Sequence, residues 1–180
     1  IRGSKAYKDD ARAQRDDDRR QVQLTDGLAA AIQGLLGDAD GRLSALTTLH
    51  ASIADLRRAS ASPNSSRQAQ VARRALNSAW VQALEASSAL RARKEYRPAA
   101  QALALALEIK PGGAGQFYEL ARLYSLGGEE RAALQALRRA VERGFNDVEA
   151  MQTEPDLERI RRSPEFTALV ERARAAPKVD

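Results

Sequence analysis

His50 is the only histidine in the chain, and there is no cysteine. Thiolate nucleophiles, zinc–thiolate centres and disulfides are therefore excluded. A single imidazole has no second histidine beside it, and no carboxylate is tied to it in sequence. The sequence thus offers no recognisable metal-ligand set or acid–base pair around His50, which reads as a surface or structural residue. Asp16-Asp17-Asp18 puts three carboxylates in a row, but successive residues on a helix do not face one another and cannot converge on a cation. Asp38-Ala39-Asp40-Gly41 has the acids and glycine of part of a calcium loop. With Gly41 at the loop's glycine position, Leu36 replaces the first acidic ligand and Thr47 replaces the final bidentate Glu. A turn with Asp40 capping the next helix is the better reading. Pro111-Gly112-Gly113-Ala114-Gly115 is rich in glycine but lacks the Lys and Ser or Thr of a phosphate loop. Neither a nucleophile elbow nor a His-Glu-x-x-His pair occurs. The sequence therefore predicts no catalytic residue, no cofactor and no metal site, and directs attention to surfaces.

The elements that present those surfaces should be helices. Alanine makes up roughly a fifth of the chain, and Leu, Arg, Gln and Glu add further helix formers. Residues favoured in strands are scarce. An all-α fold with close helix contacts is expected. The formal charge is +5, but the two halves carry similar small excesses and both signs are interleaved. No basic stripe emerges at this level, so nucleic acid is not an expected partner. No apolar run approaches the roughly 18 residues of a membrane span. A disulfide-free chain suits the cytoplasm or a bacterial periplasm equally.

Taken in order, Ile1–Tyr7 reads as a flexible lead-in and Lys8–Arg20 as an exposed, charge-laced helix or arm. Val22, Leu24, Leu28, Ala31, Ile32, Leu35 and Leu36 form a first apolar stripe, with a fresh helix start expected at Thr25-Asp26-Gly27. Leu43, Leu46, Leu49, Ile53 and Leu56 predict a second helix over about 42–60. Ser60–Ser66 reads as a linker, within which Asn64-Ser65-Ser66 matches a glycosylation acceptor pattern. A long helix is expected from Arg67 to about Lys94. The division expected is 1–66, an N-terminal helical region with linker, and 67–180, a repeat domain.

That repeat is written twice between Glu95 and Glu142. At an offset of 34 residues Glu95 falls on Glu129, Arg97 on Arg131, Ala99 on Ala133 and Gln101 on Gln135. Ala102, Leu103, Ala106 and Glu108 then fall on Ala136, Leu137, Ala140 and Glu142. From Trp80 to Gly144 the chain resembles the tetratricopeptide repeat family, whose units are helix pairs of this period. Ala86, Ser87, Leu90, Tyr96, Ala99, Leu103, Ala106 and Pro111 match one unit. Phe117, Leu120, Ala121, Tyr124, Gly128, Ala133, Leu137 and Ala140 match the next. Ala83, Glu130 and Phe145 depart from the pattern. Gly144-Phe145, Glu154-Pro155-Asp156-Leu157 and Ser163-Pro164-Glu165-Phe166 resemble the ending common in bacterial members. There Ser163 would cap the last helix, and Leu157, Ile160, Phe166, Leu169 and Val170 would cover the open end. Ala175–Asp180 reads as a frayed end.

The resemblance implies an antiparallel helix-pair solenoid whose first helices line a groove for a protein or peptide segment. By position in the units, Leu84, Ser88, Arg91, Tyr118, Arg122 and Ser125 are the candidate partner-binding residues. Residues 1–66 filling that groove is an equal alternative. The functional expectation is a bacterial scaffold or interaction module without catalysis. The alternative is an accessory domain of a larger bacterial enzyme, docked on a catalytic domain outside this chain; the opening on Ile1 rather than Met and the charged first stretch favour it.

Overall fold

The computed structural model describes residues 2–61 and 67–175, and among these all regular structure is helical. The protein is all-α, as its composition requires. The chain divides into two compact units, Ile1–Ala86 and Ser87–Asp180.

In the first unit, α1 (Arg2–Gly34) and α2 (Ala39–Ser60) pack together, and the first part of α3 (Arg67–Ala92) adds its own buried residues. Helix α1 runs 33 residues without a break. The lead-in expected over Ile1–Tyr7 is helical from Arg2, and the new start expected at Thr25–Gly27 is absent. A glycine inside a helix costs only about 1 kcal/mol, and the continuing stripe below it holds the helix together. Of that stripe, Leu28, Ile32 and Leu35 are buried, whereas Val22 and Leu24 are exposed. Gly34 marks the close approach of α1 to α2: a Cβ there would lie 2.9 Å from the Ala45 Cβ.

The cap of α2 differs from expectation by two residues. The Asp38 carboxylate accepts the Gly41 N–H at 2.8 Å, while Asp40 lies within the first turn, where its charge suits the helix dipole. Leu49, Ile53 and Leu56 are buried, but Leu43 stands exposed beyond the stripe. His50 is exposed as well. The glycosylation pattern and most of the expected linker lie outside the described residues, as does the end beyond Ala175.

In the second unit the end of α3 is followed by α4 (Tyr96–Ile109), α5 (Ala114–Leu126) and α6 (Glu130–Glu142). The backbone repeats itself at the offset seen in the sequence. Glu95 N–H donates to the Leu90 carbonyl and Glu129 N–H to the Tyr124 carbonyl, both at 2.9 Å. Lys94 N–H donates to Arg91 at 2.9 Å, and its counterpart Gly128 donates to Ser125 at 3.1 Å. Both turn residues have positive φ, 62° at Lys94 and 78° at Gly128. Glycine is at ease there and lysine is strained. The buried residues recur too: Ala99, Ala102, Leu103, Ala106 and Leu107 in α4 become Ala133, Ala136, Leu137, Ala140 and Val141 in α6. Small residues at these positions let the helices approach. Large ones such as Leu103, Leu123 and Leu137 fill the holes, each contributing about 2 kcal/mol by burial. Successive turns also touch, since a Cβ on Gly127 would come within 3.0 Å of the Arg97 backbone.

The glycine-rich Pro111–Gly113 is a turn that ends at α5, where the Gln116 side chain accepts the Gly113 N–H at 3.0 Å. The chain closes with α7 (Val148–Thr153), a 3-10 turn over Pro155–Leu157, α8 (Glu158–Arg161) and α9 (Pro164–Ala175). Ser163 caps α9 by accepting the Phe166 N–H at 3.0 Å. Pro155 and Pro164 sit at element starts, where a missing N–H is harmless. Leu157, Ile160, Phe166, Leu169 and Val170 are all buried, with α9 against α6 and the 3-10 turn against α5. They extend the apolar core of this unit beyond α5 and α6.

Candidate docking face of α5

The candidate residues of the second unit sit on the last turns of α3 and along α5. Ser88 is exposed. The Arg91 side chain is 53% exposed and donates to Glu119 at 2.7 Å. Glu119 also takes Arg122 Nη1 at 2.9 Å, so one carboxylate joins the two arginines. Arg122 then reaches the C-terminal segment, with Nε 3.2 Å from Glu154 and Nη2 2.6 Å from Asp156. Its side chain is only 22% exposed. Burial by itself would lower the guanidinium pKa, but its hydrogen bond to the Asp156 carboxylate and the nearby Glu119 and Glu154 outweigh it and raise it.

Tyr118 belongs to the same cluster. It is buried, its ring stacks on Phe145 at 4.1 Å, and its hydroxyl donates to the Ala150 carbonyl at 3.0 Å. Burial first, then the Glu154 charge, push its phenol up to about 12. Ser125 is fully buried and its hydroxyl has no hydrogen-bond partner among the described residues. Leu84 lies in the first unit and is half-buried on α3.

The structure therefore brings Arg91, Tyr118 and Arg122 together, but ties the latter two to the protein's own C-terminal segment. The exposed remainder is Ser88, Arg91 and the edge of Glu119. The three carboxylates that organise this face are not apparent from the sequence in isolation. One signal was available: Asp156 stands 34 residues after Arg122, one repeat period later, where the first helix of a third unit would lie. Arg138–Glu165 and Arg172–Glu142 tie α9 to α6 in the same manner, on another side of α6.

In the first unit a cleft of about 440 Å³ opens between α1, α2 and α3. Leu24, Leu28, Leu56 and Val71 form its walls, with Asp17 and Arg20 at the edge. Among the described residues no cluster of histidines or acids has a metal-binding arrangement, and no helix is long and apolar enough to cross a membrane. No family model matches the chain, and no curated protein matches it.

Proposed function

We propose that this chain is a protein–protein interaction module of the tetratricopeptide kind, acting without catalysis. The observation that carries the reading is the return, 34 residues apart, of the same turn hydrogen bonds, a positive φ at the same turn position and the same buried positions. A unit with that repetition is a stack of helix pairs, and its working part is a preformed helical surface. On the α3–α5 side, Ser88 and Arg91 are the residues open to a protein or peptide segment, with Arg122 and Tyr118 stiffening the face beneath. The module would serve a bacterial scaffold or assembly.

The test is a pull-down with the intact protein, followed by cross-linking that maps the contact. Cross-links at 88–91 and along α5, with binding weakened about tenfold by Arg91→Glu, support the reading. Turnover of a substrate by this chain, or cross-links confined elsewhere with Arg91→Glu binding as well as wild type, would overturn it.

One observation favours a second reading, an accessory domain docked on a catalytic partner. Helix α1 buries no described side chain before Leu28, leaves Tyr7, Val22 and Leu24 exposed, and flanks the 440 Å³ cleft. Helices of this kind commonly bridge to another domain. Cross-links concentrated on 7–28 in the full-length protein would select this reading.

A further inference from the structure

Helix α6 carries a second set of arginines, used quite differently from Arg91 and Arg122. Arg131, Gln135, Arg139 and Arg143 follow one another at intervals of four, which places them on one face of α6 and its C-cap. All four are exposed. The Arg139 and Arg143 guanidinium carbons stand 5.9 and 4.8 Å from the centroid of one ring, that of buried Phe117. No described carboxylate forms an ion pair with Arg131, Arg139 or Arg143. The acid of this helix end, Glu142, is turned to Arg172 on α9.

The repeat makes the departure visible. One period earlier, the positions of Arg139 and Arg143 are Leu105 and Ile109, both buried, and that of Phe117 is Ala83. The second unit thus replaces two apolar residues by two cations and supplies a ring to hold them. Two guanidinium groups over one ring repel each other unless an anion lies between them. The ring's negative face offsets part of that repulsion and fixes the forks in place.

Beside them runs a groove between α4 and α6 with α5 as its floor. It consists of adjoining hollows of about 250 and 130 Å³ that share Ala104, Leu120 and Arg139. Tyr124 and Ala136 line it as well. Glu108 lies at its α4 edge.

We infer that this face of α6 and the adjoining groove form a second binding surface, separate from the α3–α5 face, for an acidic amphipathic helix of a partner protein. Arginine forks match carboxylates in pairs. Acids one helical turn apart on a partner helix have the spacing of Arg139 and Arg143, about 6 Å along the axis. The apolar floor would take a Leu-sized side chain between them. A nucleic acid or free phosphate would engage the arginines and leave that floor uncovered, which is why a protein segment fits better.

The experiment uses the whole chain and fluorescence anisotropy. The probe is a labelled Ala-based helical peptide of about 15 residues, with Glu at every fourth position and Leu beside each Glu on the same face. A Gln-for-Glu peptide, a Leu-to-Ala peptide and a single-stranded oligonucleotide are the comparisons. The expected result is salt-sensitive binding of the Glu–Leu peptide, at least about tenfold weaker for either altered peptide. Arg139→Gln with Arg143→Gln, which keeps the stems over Phe117, should weaken it by a similar factor while circular dichroism stays unchanged. Arg139→Glu with Arg143→Glu should instead select a Lys-bearing peptide. No binding by the wild type, equal binding by the Gln variant, or tighter binding of the oligonucleotide would each overturn the proposal.

Discussion

Two arginine pairs in the same unit have opposite circumstances. Arg91 and Arg122 share Glu119, and Arg122 goes on to Glu154 and Asp156 at the chain's own C-terminal segment. Arg139 and Arg143 lean on Phe117 and form no ion pair among the described residues. The difference follows from where the closing segment packs. On the α5 side it brings Glu154 and Asp156 to Arg122. On the α4–α6 side no described residue of the closing segment supplies an acid to this stripe, so the cations remain open. An arginine's position in a repeat is therefore a poor guide to its availability; what matters is whether the chain itself supplies the anion.

The largest effect that would sharpen this contrast is on stability. Arg122→Ala removes a guanidinium that Glu119, Glu154 and Asp156 share in a partly buried setting. Urea unfolding should show a loss of about 2 kcal/mol, set between the values for exposed and buried pairs. Arg139→Gln should change stability by less than about 0.5 kcal/mol. Equal losses for the two variants would erase the distinction.

Tyr118→Phe comes next, at about 1 kcal/mol, because it removes the buried phenol's bond to the Ala150 carbonyl, which keeps only the Glu154 N–H. This variant also has a pH signature. The folded phenol titrates near 12 against an ordinary 10, so between those values the folded state holds a proton that the unfolded state has released. Stability from this group is complete below pH 10 and is lost as pH rises toward 12. Tyr118→Phe should lack that part of the alkaline decline, and a parallel decline would show that Tyr118 is not its source.

Ser125→Ala should be the smallest change and of opposite sign, neutral or stabilising by under about 1 kcal/mol. It removes a buried hydroxyl with no hydrogen-bond partner among the described residues. A loss above that size would mean the hydroxyl has a bond in solution.

Much of the fold could be read from residues alone where period and chemistry agreed. Pro155, Pro164 and the Ser163 cap mark element starts, and the alanines of α4 recur in α6 because close helix contact demands small side chains. Less legible were features that depend on competition. Thr25-Asp26-Gly27 has the chemistry of a helix start, yet α1 passes through it because an unbroken helix needs no cap. Asp38 and Asp40 are both plausible caps, and only the backbone path decides between them. In the candidate site, position within the repeat resemblance singled out Arg91, Tyr118 and Arg122. It did not reveal that Ser125 is enclosed, or that acids from residues 154–156 return to Arg122. Arg139 and Arg143 escaped notice because a basic stripe on one helix vanishes when charge is averaged along the chain.

The contrast between the two arginine pairs can be tested in one measurement. The isotopically labelled full chain is titrated with the Glu–Leu helical peptide and followed by amide chemical shifts. The account predicts changes at Arg139, Arg143 and neighbours along α6, and at Ala104 and Leu120 in the groove. Amides of Arg122, Glu154 and Asp156 should stay where they are. Shifts centred on Arg122 and the closing segment, with α6 unmoved, would contradict it.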